Sequence, residues 1–320
     1  MRGLFIACLL MVTTSCFTQA LIARSSLGAT TFYTTLNSAY SACINGDTLY
    51  LPGGAFEAPS QFIKRLHIFG AGAKIDSSIA TGNTKIFTLG TEIKINTGAA
   101  FSSFEGIYFD DPVVIGSTAA LDNDLNNIVF KSCDFGGHEL KFGATIPSPV
   151  NNISVINCIV STLSAQKAEN CVYYNSIFYG IVYNTKNSFF KNSLLLNSQQ
   201  FNENTTYENC YLAGLAGFYD TYCYFLNCIL ASCCNGPTNN FVNTINCSPV
   251  FTVTDYHLAA GCAGINGGTD GTDVGIYGGA FAWKGGIIPT NPHISFKLIP
   301  DVSNSEGTFD VNIKVNAQDN

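Results

Sequence analysis

Seven short segments of this chain share one pattern and recur at nearly constant spacing. They are Phe130-Lys131-Ser132-Cys133-Asp134-Phe135, Val155-Ile156-Asn157-Cys158-Ile159-Val160, Tyr173-Tyr174-Asn175-Ser176-Ile177-Phe178, Phe190-Lys191-Asn192-Ser193-Leu194-Leu195, Tyr207-Glu208-Asn209-Cys210-Tyr211-Leu212, Phe225-Leu226-Asn227-Cys228-Ile229-Leu230 and a degenerate last copy carrying Asn246-Cys247. Their third positions, 132, 157, 175, 192, 209, 227 and 246, lie 25, 18, 17, 17, 18 and 19 residues apart. A unit of roughly 18 residues is too short for a pair of helices but holds three short strands and three turns. Successive units therefore stack as coils of a parallel β-solenoid.

Stacking at the ~4.8 Å strand spacing sets equivalent residues above one another. The Asn position reads as a bend with a left-handed backbone, which Asn tolerates better than other non-Gly residues. Its side-chain amides are expected to hydrogen-bond along a ladder. Cys and Ser fit the inside of the corner, and Phe, Tyr, Val and Leu fill the core. Parallel side-chain directions disfavour bridge geometry between stacked cysteines, so mostly free, buried thiols are expected.

Upstream the pattern loosens. Gly70 and Gly106 lie 36 apart, read as two units of 18. Residues 35–42 read as a short amphipathic helix, and Asn45-Gly46-Asp47 turns into a strand at 48–51. That helix is the natural cap for the open first coil. At the other end, residues 294–298 and 308–315 alternate like a β-hairpin, joined through Gly285-Gly286 and the linker 289–292.

Composition excludes other classes. Charged residues are only 12% of the chain, which fits neither a coiled coil nor a disordered segment. With 15 Lys+Arg against 22 Asp+Glu the net charge is -7, so there is no cationic field for nucleic acid. Met1-Arg2, the apolar run 4–12 and Thr18-Gln19-Ala20 read as an export signal over residues 1–20. Acylation at Cys16 as a lipoprotein is the alternative. Past this signal no apolar run approaches the ~20 residues of a membrane span. The mature chain is then expected to be secreted or held at the cell surface, with a β-helix body over 21–286 and the appendage over 287–320.

The segments Leu36-Asn37-Ser38-Ala39, residues 45–54 and residues 63–72 look like the helix cap and opening coils of a known group, and Asp255-Tyr256-His257-Leu258 with residues 264–279 is similar to its final-coil signature. The chain thus resembles secreted right-handed parallel β-helix proteins of the pectin-lyase-like superfamily, of the type common in Bacteroidetes, over residues 30–285. The resemblance implies an all-β, right-handed parallel β-helix with an N-terminal helix cap and a small C-terminal β appendage. It is specific for fold, since the superfamily includes lyases, hydrolases, adhesins and proteins without known activity.

Catalytic residues are sparse. The arginines, Arg2, Arg24 and Arg65, all lie outside the central coils. Asp110-Asp111 with Asp134 and His138 is the one acidic cluster near the repeat, and a hydrolase needs paired carboxylates. The flanking Asn-Thr-Asp and Arg-Ile-Lys elements of polygalacturonase-type enzymes are missing, and Asp110-Asp111-Pro112 also reads as a turn. Asp270 and Asp273 in a Gly-rich turn could hold calcium or serve only as turn residues; no other cofactor is expected. Ile159, Ile177, Leu194, Tyr211 and Ile229 follow the Cys/Ser position and form an apolar stripe. Exposed, it marks a ligand-binding face; otherwise another segment covers it, and the C-terminal hairpin is the candidate. The expectation is a non-catalytic protein that presents an elongated face to a polysaccharide or a surface protein, the alternative being a divergent polysaccharide lyase or glycoside hydrolase.

Overall fold

The computed structural model describes residues 21–316 except 78–79, 117–124, 144–149, 167, 215–219, 232–237, 248–250, 252–254, 285–286, 288, 290–291, 301 and 304. Residues 1–20, read above as an export signal and carrying Cys8 and Cys16, lie outside the described residues, as do Cys233 and Cys234. The body is a parallel β-solenoid of about 9 turns. Its first sheet stacks Asp47–Tyr50, Leu66–Phe69, Ser103–Glu105, Val129–Lys131, Ser154–Ile156, Val172–Tyr174, Phe189–Lys191, Thr206–Glu208, Tyr224–Leu226 and Asn240–Val242. A second sheet follows the corner, running from Ile159–Val160 to Ile229–Leu230, and a third runs from Ile93–Ile95 to Gln199–Gln200.

The corner between the first two sheets is the Asn column. Asn157, Asn175, Asn192, Asn209 and Asn227 have φ of 52, 48, 50, 53 and 51°, and Ser132 has 52°. Behind it the small residues form their own ladder. The Cys158 N–H donates to Ser176 Oγ (3.1 Å), and the Ser176 N–H donates to Ser193 Oγ (3.2 Å). Each hydroxyl in turn donates to a carbonyl two residues back, that of Tyr174 (2.9 Å) or Lys191 (3.0 Å). Hydroxyl and thiol thus satisfy buried backbone groups that a larger side chain would crowd out. Inside the coil the aromatic column stacks face to face: Tyr173–Phe190 at 4.2 Å, Phe190–Tyr207 at 5.0 Å, Tyr207–Phe225 at 4.8 Å and Phe225–Phe241 at 4.8 Å. Among the described residues seven cysteines are free and buried, as expected from the stacked geometry.

Several sequence expectations are corrected. Leu66–Phe69 pairs directly with Ser103–Glu105, so the 36 residues from Gly70 to Gly106 make one long coil, not two. The last copy is Phe241-Val242-Asn243, with Asn243 at φ 52°, in place of Asn246-Cys247. Asn246 resembles the repeat because a Cys follows it, but Thr244 takes the small position and Cys247 is bonded to Cys262. A second left-handed column runs five residues ahead of the first: Phe101, Asn127, Asn152, Asn170, Asn187, Asn204 and Tyr222.

At the N-terminal end the helix Leu36–Ala42 forms as expected. Thr35 caps it by accepting from the Ser38 N–H (3.1 Å), and Leu36, Ala39 and Tyr40 are buried. The cap has a further part that alternation did not reveal. Ile22–Ser26 and Ala29–Tyr33 form an antiparallel hairpin that pairs along Asp47–Tyr50, covering an otherwise open strand edge. Arg24 Nε donates to the buried Asp47 carboxylate (2.7 Å). Burial opposes ionisation of Asp47, yet hydrogen bonds from Ser26, the Ile44 N–H and Arg24 outweigh it and hold the carboxyl below its ordinary range.

The closing stretch does not wind a final coil. After Phe251, which bridges antiparallel to Leu258, residues 262–284 with Ile287 and Pro289 run back along the outside of the solenoid as a strap. A small antiparallel hairpin, His293–Leu298 with Asn312–Asn316, follows it.

Candidate functional site

The strap settles the fate of the apolar stripe. Ile159, Ile177, Leu194 and Ile229 are buried, and Tyr211 is half-buried. Ile276, Ile287, Trp283, Tyr256 and Phe251 pack on the upper part, Val274, Cys262 and Leu258 on the lower. The cover is thus this preceding segment, not the hairpin of 294–315. Fully burying one such aliphatic side chain stabilises by about 1.5–3 kcal/mol, so the stripe holds the strap and offers no free binding face.

The Asn column does the polar half of the same work. The amides of Asn175, Asn192, Asn209 and Asn227 donate across to the strap instead of along the column. Asn175 Nδ2 donates to the carbonyls of Ile276 (2.8 Å) and Gly278 (2.7 Å). Asn192 Nδ2 reaches Asp273 O (3.1 Å), and Asn227 Nδ2 reaches Gly267 O (2.9 Å). Asn209 bonds Thr269 both ways, donating to its hydroxyl (3.1 Å) and accepting its N–H (2.9 Å). Glycine is required at 278, because a Cβ there would fall on the Asp273 carbonyl of the strap's own turn and 2.7 Å from Asn192 Nδ2 of the column. No signal in the repeat itself distinguishes an amide that ladders from one that clamps. The Gly-rich composition of 264–279, an unusually close-packing backbone, was the available hint.

The acidic candidates are engaged in local structure. Asp110 is ion-paired with Lys85. Asp111 Oδ2 accepts from the N–H of Thr88 (2.6 Å) and its hydroxyl (3.0 Å). Asp134 accepts from the Gly136 N–H (3.0 Å) within its turn, and burial pushes its carboxyl up. Asp270 accepts from Thr272 N–H (3.1 Å) and Oγ1 (2.6 Å) and pairs with Lys191 (3.7 Å). Asp273 Oδ1 accepts from the Asn266 N–H (2.8 Å). Both strap carboxylates therefore fold the Gly-rich turn. Among the described residues no three His, Cys, Asp or Glu side chains gather as a metal site.

His138 lines a sizeable cavity, and this cavity lies on the third sheet. It is an open groove of about 890 Å³ bordered by Gly137, His138, Glu139, Thr162, Ile181, Tyr183, Asn184, Gln200 and Phe201. Glu139, Thr162, Tyr183 and Gln200 come from four successive coils, so the groove crosses the strands, along the solenoid axis. Tyr183 donates its hydroxyl to Glu139 Oε1 (2.8 Å), while Lys141 lies 3.4 Å from Glu139 Oε2 and 3.6 Å from Glu92. Burial, and after it the bond to Glu139, pushes the Tyr183 phenol up. Phe201, 51% exposed, stands at a left-handed corner with φ 56°. It also borders an adjacent cavity of about 180 Å³ lined by Glu169, Lys186 and Glu203. Strand periodicity places Tyr183 and Gln200 on the outer face, but the third sheet lacks the Asn-Cys/Ser signature, so nothing in the sequence singled it out.

The chain matches no family model, no curated protein and no solved structure.

Proposed function

We propose that this is a non-catalytic, secreted or surface-held binding protein that holds a polysaccharide strand in the groove of its third sheet. The observation that carries the reading is the make-up of that groove: an open channel along the axis lined by two aromatic rings, a hydroxyl and two side-chain amides. A sugar offers an apolar ring face for Phe201 and Tyr183 and vicinal hydroxyls for Thr162, Asn184 and Gln200. A channel along the axis suits a polymer, because one repeating ligand meets one repeating coil after another.

Export is supported by the signal-like residues 1–20 and by the Cys247–Cys262 disulfide, a bond that persists in oxidising compartments. Right-handed winding is supported by the strong bias of parallel crossover connections to that hand, and with it the kinship to pectin-lyase-like β-helices. The absence of turnover is supported by Asp110, Asp111 and Asp134 being held in an ion pair or in turns.

The test is a co-sedimentation series with insoluble cell-wall polysaccharides, run beside reducing-sugar and unsaturated-product assays. Retention on at least one polymer, weakened at least tenfold by Phe201→Ala, with no product formed, is the expected result. Product formation abolished by Asp134→Asn or His138→Ala would replace the reading with a divergent lyase or hydrolase.

A further inference from the structure

The charges around the groove are arranged in a repeated motif. Lys141 sits between Glu139 (3.4 Å) and Glu92 (3.6 Å). Lys186 sits between Glu169 (3.7 Å) and Glu203 (3.9 Å), with which it is aligned in register on neighbouring coils. Each of these lysines thus has two carboxylates, and each triad carries one net negative charge; Glu139 of the first lines the groove, and all three members of the second line the adjacent cavity. The carboxylates of Glu139 and Glu92 raise the affinity of the Lys141 ammonium for its proton despite partial burial, so that charge stays in place.

Resting on the polysaccharide reading above, we infer that the groove selects an uncharged polysaccharide and rejects acidic ones. A uronic-acid polymer carries one carboxylate per residue. Laid along the axis it meets the Glu139 carboxylate in the groove and, three coils on, the Glu203 carboxylate in the adjacent cavity, and the ammonium groups that would attract it are already shared between two acids. Like charges at that range are repulsive and are only partly screened at physiological salt. A neutral polymer meets no such penalty. Its hydroxyls bond Thr162, Asn184 and Gln200, and its ring faces lie on Phe201, a residue held in a backbone conformation that bulky side chains seldom adopt. Phe201 borders both cavities, so the selected strand passes Glu139 and the Lys186 triad.

The experiment is affinity electrophoresis of the full chain through gels containing soluble β-glucan, galactomannan, polygalacturonate or chitosan oligomers, at 20 mM and 500 mM NaCl. The expected result is retardation by a neutral polymer that changes less than about twofold with salt, falls at least tenfold in Phe201→Ala, and has no counterpart with polygalacturonate. The double variant Glu169→Gln, Glu203→Gln, which frees Lys186, should gain polygalacturonate retardation at 20 mM NaCl that vanishes at 500 mM. Wild-type retardation by polygalacturonate, or by chitosan in preference to the neutral polymers, overturns the selectivity while leaving polysaccharide binding standing. Absence of retardation by every polymer overturns the binding reading itself, and the inference with it.

Discussion

The Asn column predicts a separation between two roles that one residue type plays in this molecule. Asn175 and Asn187 have nearly the same backbone, with φ of 48 and 47°. The Asn187 side chain is exposed, whereas Asn175 is 2% exposed and its amide holds the Ile276 and Gly278 carbonyls of the strap. Replacing either by Gly keeps the left-handed corner comfortable and adds the same entropy to the unfolded chain, about 0.5–1 kcal/mol. At Asn175 the change also removes two buried hydrogen bonds, each contributing about 1 kcal/mol net, and leaves two strap carbonyls without that donor. Asn175→Gly should therefore weaken the strap by about 2–3 kcal/mol more than Asn187→Gly does.

Solenoids open locally, so hydrogen exchange at the strap is the suitable assay. The Gly278 and Trp283 amides bond the carbonyls of Gly275 and Ile276 and report on the affected segment. A loss of 2–3 kcal/mol corresponds to exchange faster by roughly 30- to 150-fold. Replacing each residue by Ala should add a common penalty of about 1–2 kcal/mol for placing Cβ in the left-handed region. If the Gly278 and Trp283 amides exchange at equal rates in Asn175→Gly and Asn187→Gly, the clamp is not made by the column, and the account of why Asn recurs at buried corners fails.

Three further outcomes follow from buried groups. Asp220 is 1% exposed, accepts one backbone N–H from Asn202, and is pushed up by burial to about 6. Since the folded value lies above that of the unfolded chain, its contribution is fully present below pH 4 and is lost as pH rises through 6, by about 2–3 kcal/mol; urea midpoints should fall over that window in the wild type and stay flat in Asp220→Asn. The Cys247–Cys262 bond closes a loop of 15 residues and should contribute about 3 kcal/mol, so Cys247→Ser with Cys262→Ser should lower the melting temperature, and added dithiothreitol should then have no effect on it. Burial pushes Cys171 and Cys223 up to about 12 and raises Cys133 and Cys210 as well; mass spectrometry after iodoacetamide at pH 8 should find these four thiols unlabelled in the folded protein and labelled in urea.

What could be read from the sequence divides along a physical line. Period and side-chain size are local properties, and they specified the coil: large apolar residues inside, a small residue at the corner, a residue tolerant of positive φ beside it. Asn157 to Asn227 fell into one column because stacking leaves no other register for that pattern. The upstream coils were miscounted because a turn can lengthen outside the core without disturbing the strands. The Gly70–Gly106 interval happened to equal two short units. The fate of the stripe was not legible for a different reason. Ile177 and Leu194 look alike whether a ligand, a partner or the chain's own continuation covers them, and choosing among these needs the path of residues 262–284, at which the Gly-rich composition of 264–279 only hints. The third-sheet groove escaped for the converse reason: Tyr183, Gln200 and Phe201 share no repeated letter, because a solvent-facing surface is free to differ from coil to coil where the core is not. In a solenoid, regularity marks the scaffold, so the residues most worth testing for function are those on which successive coils disagree.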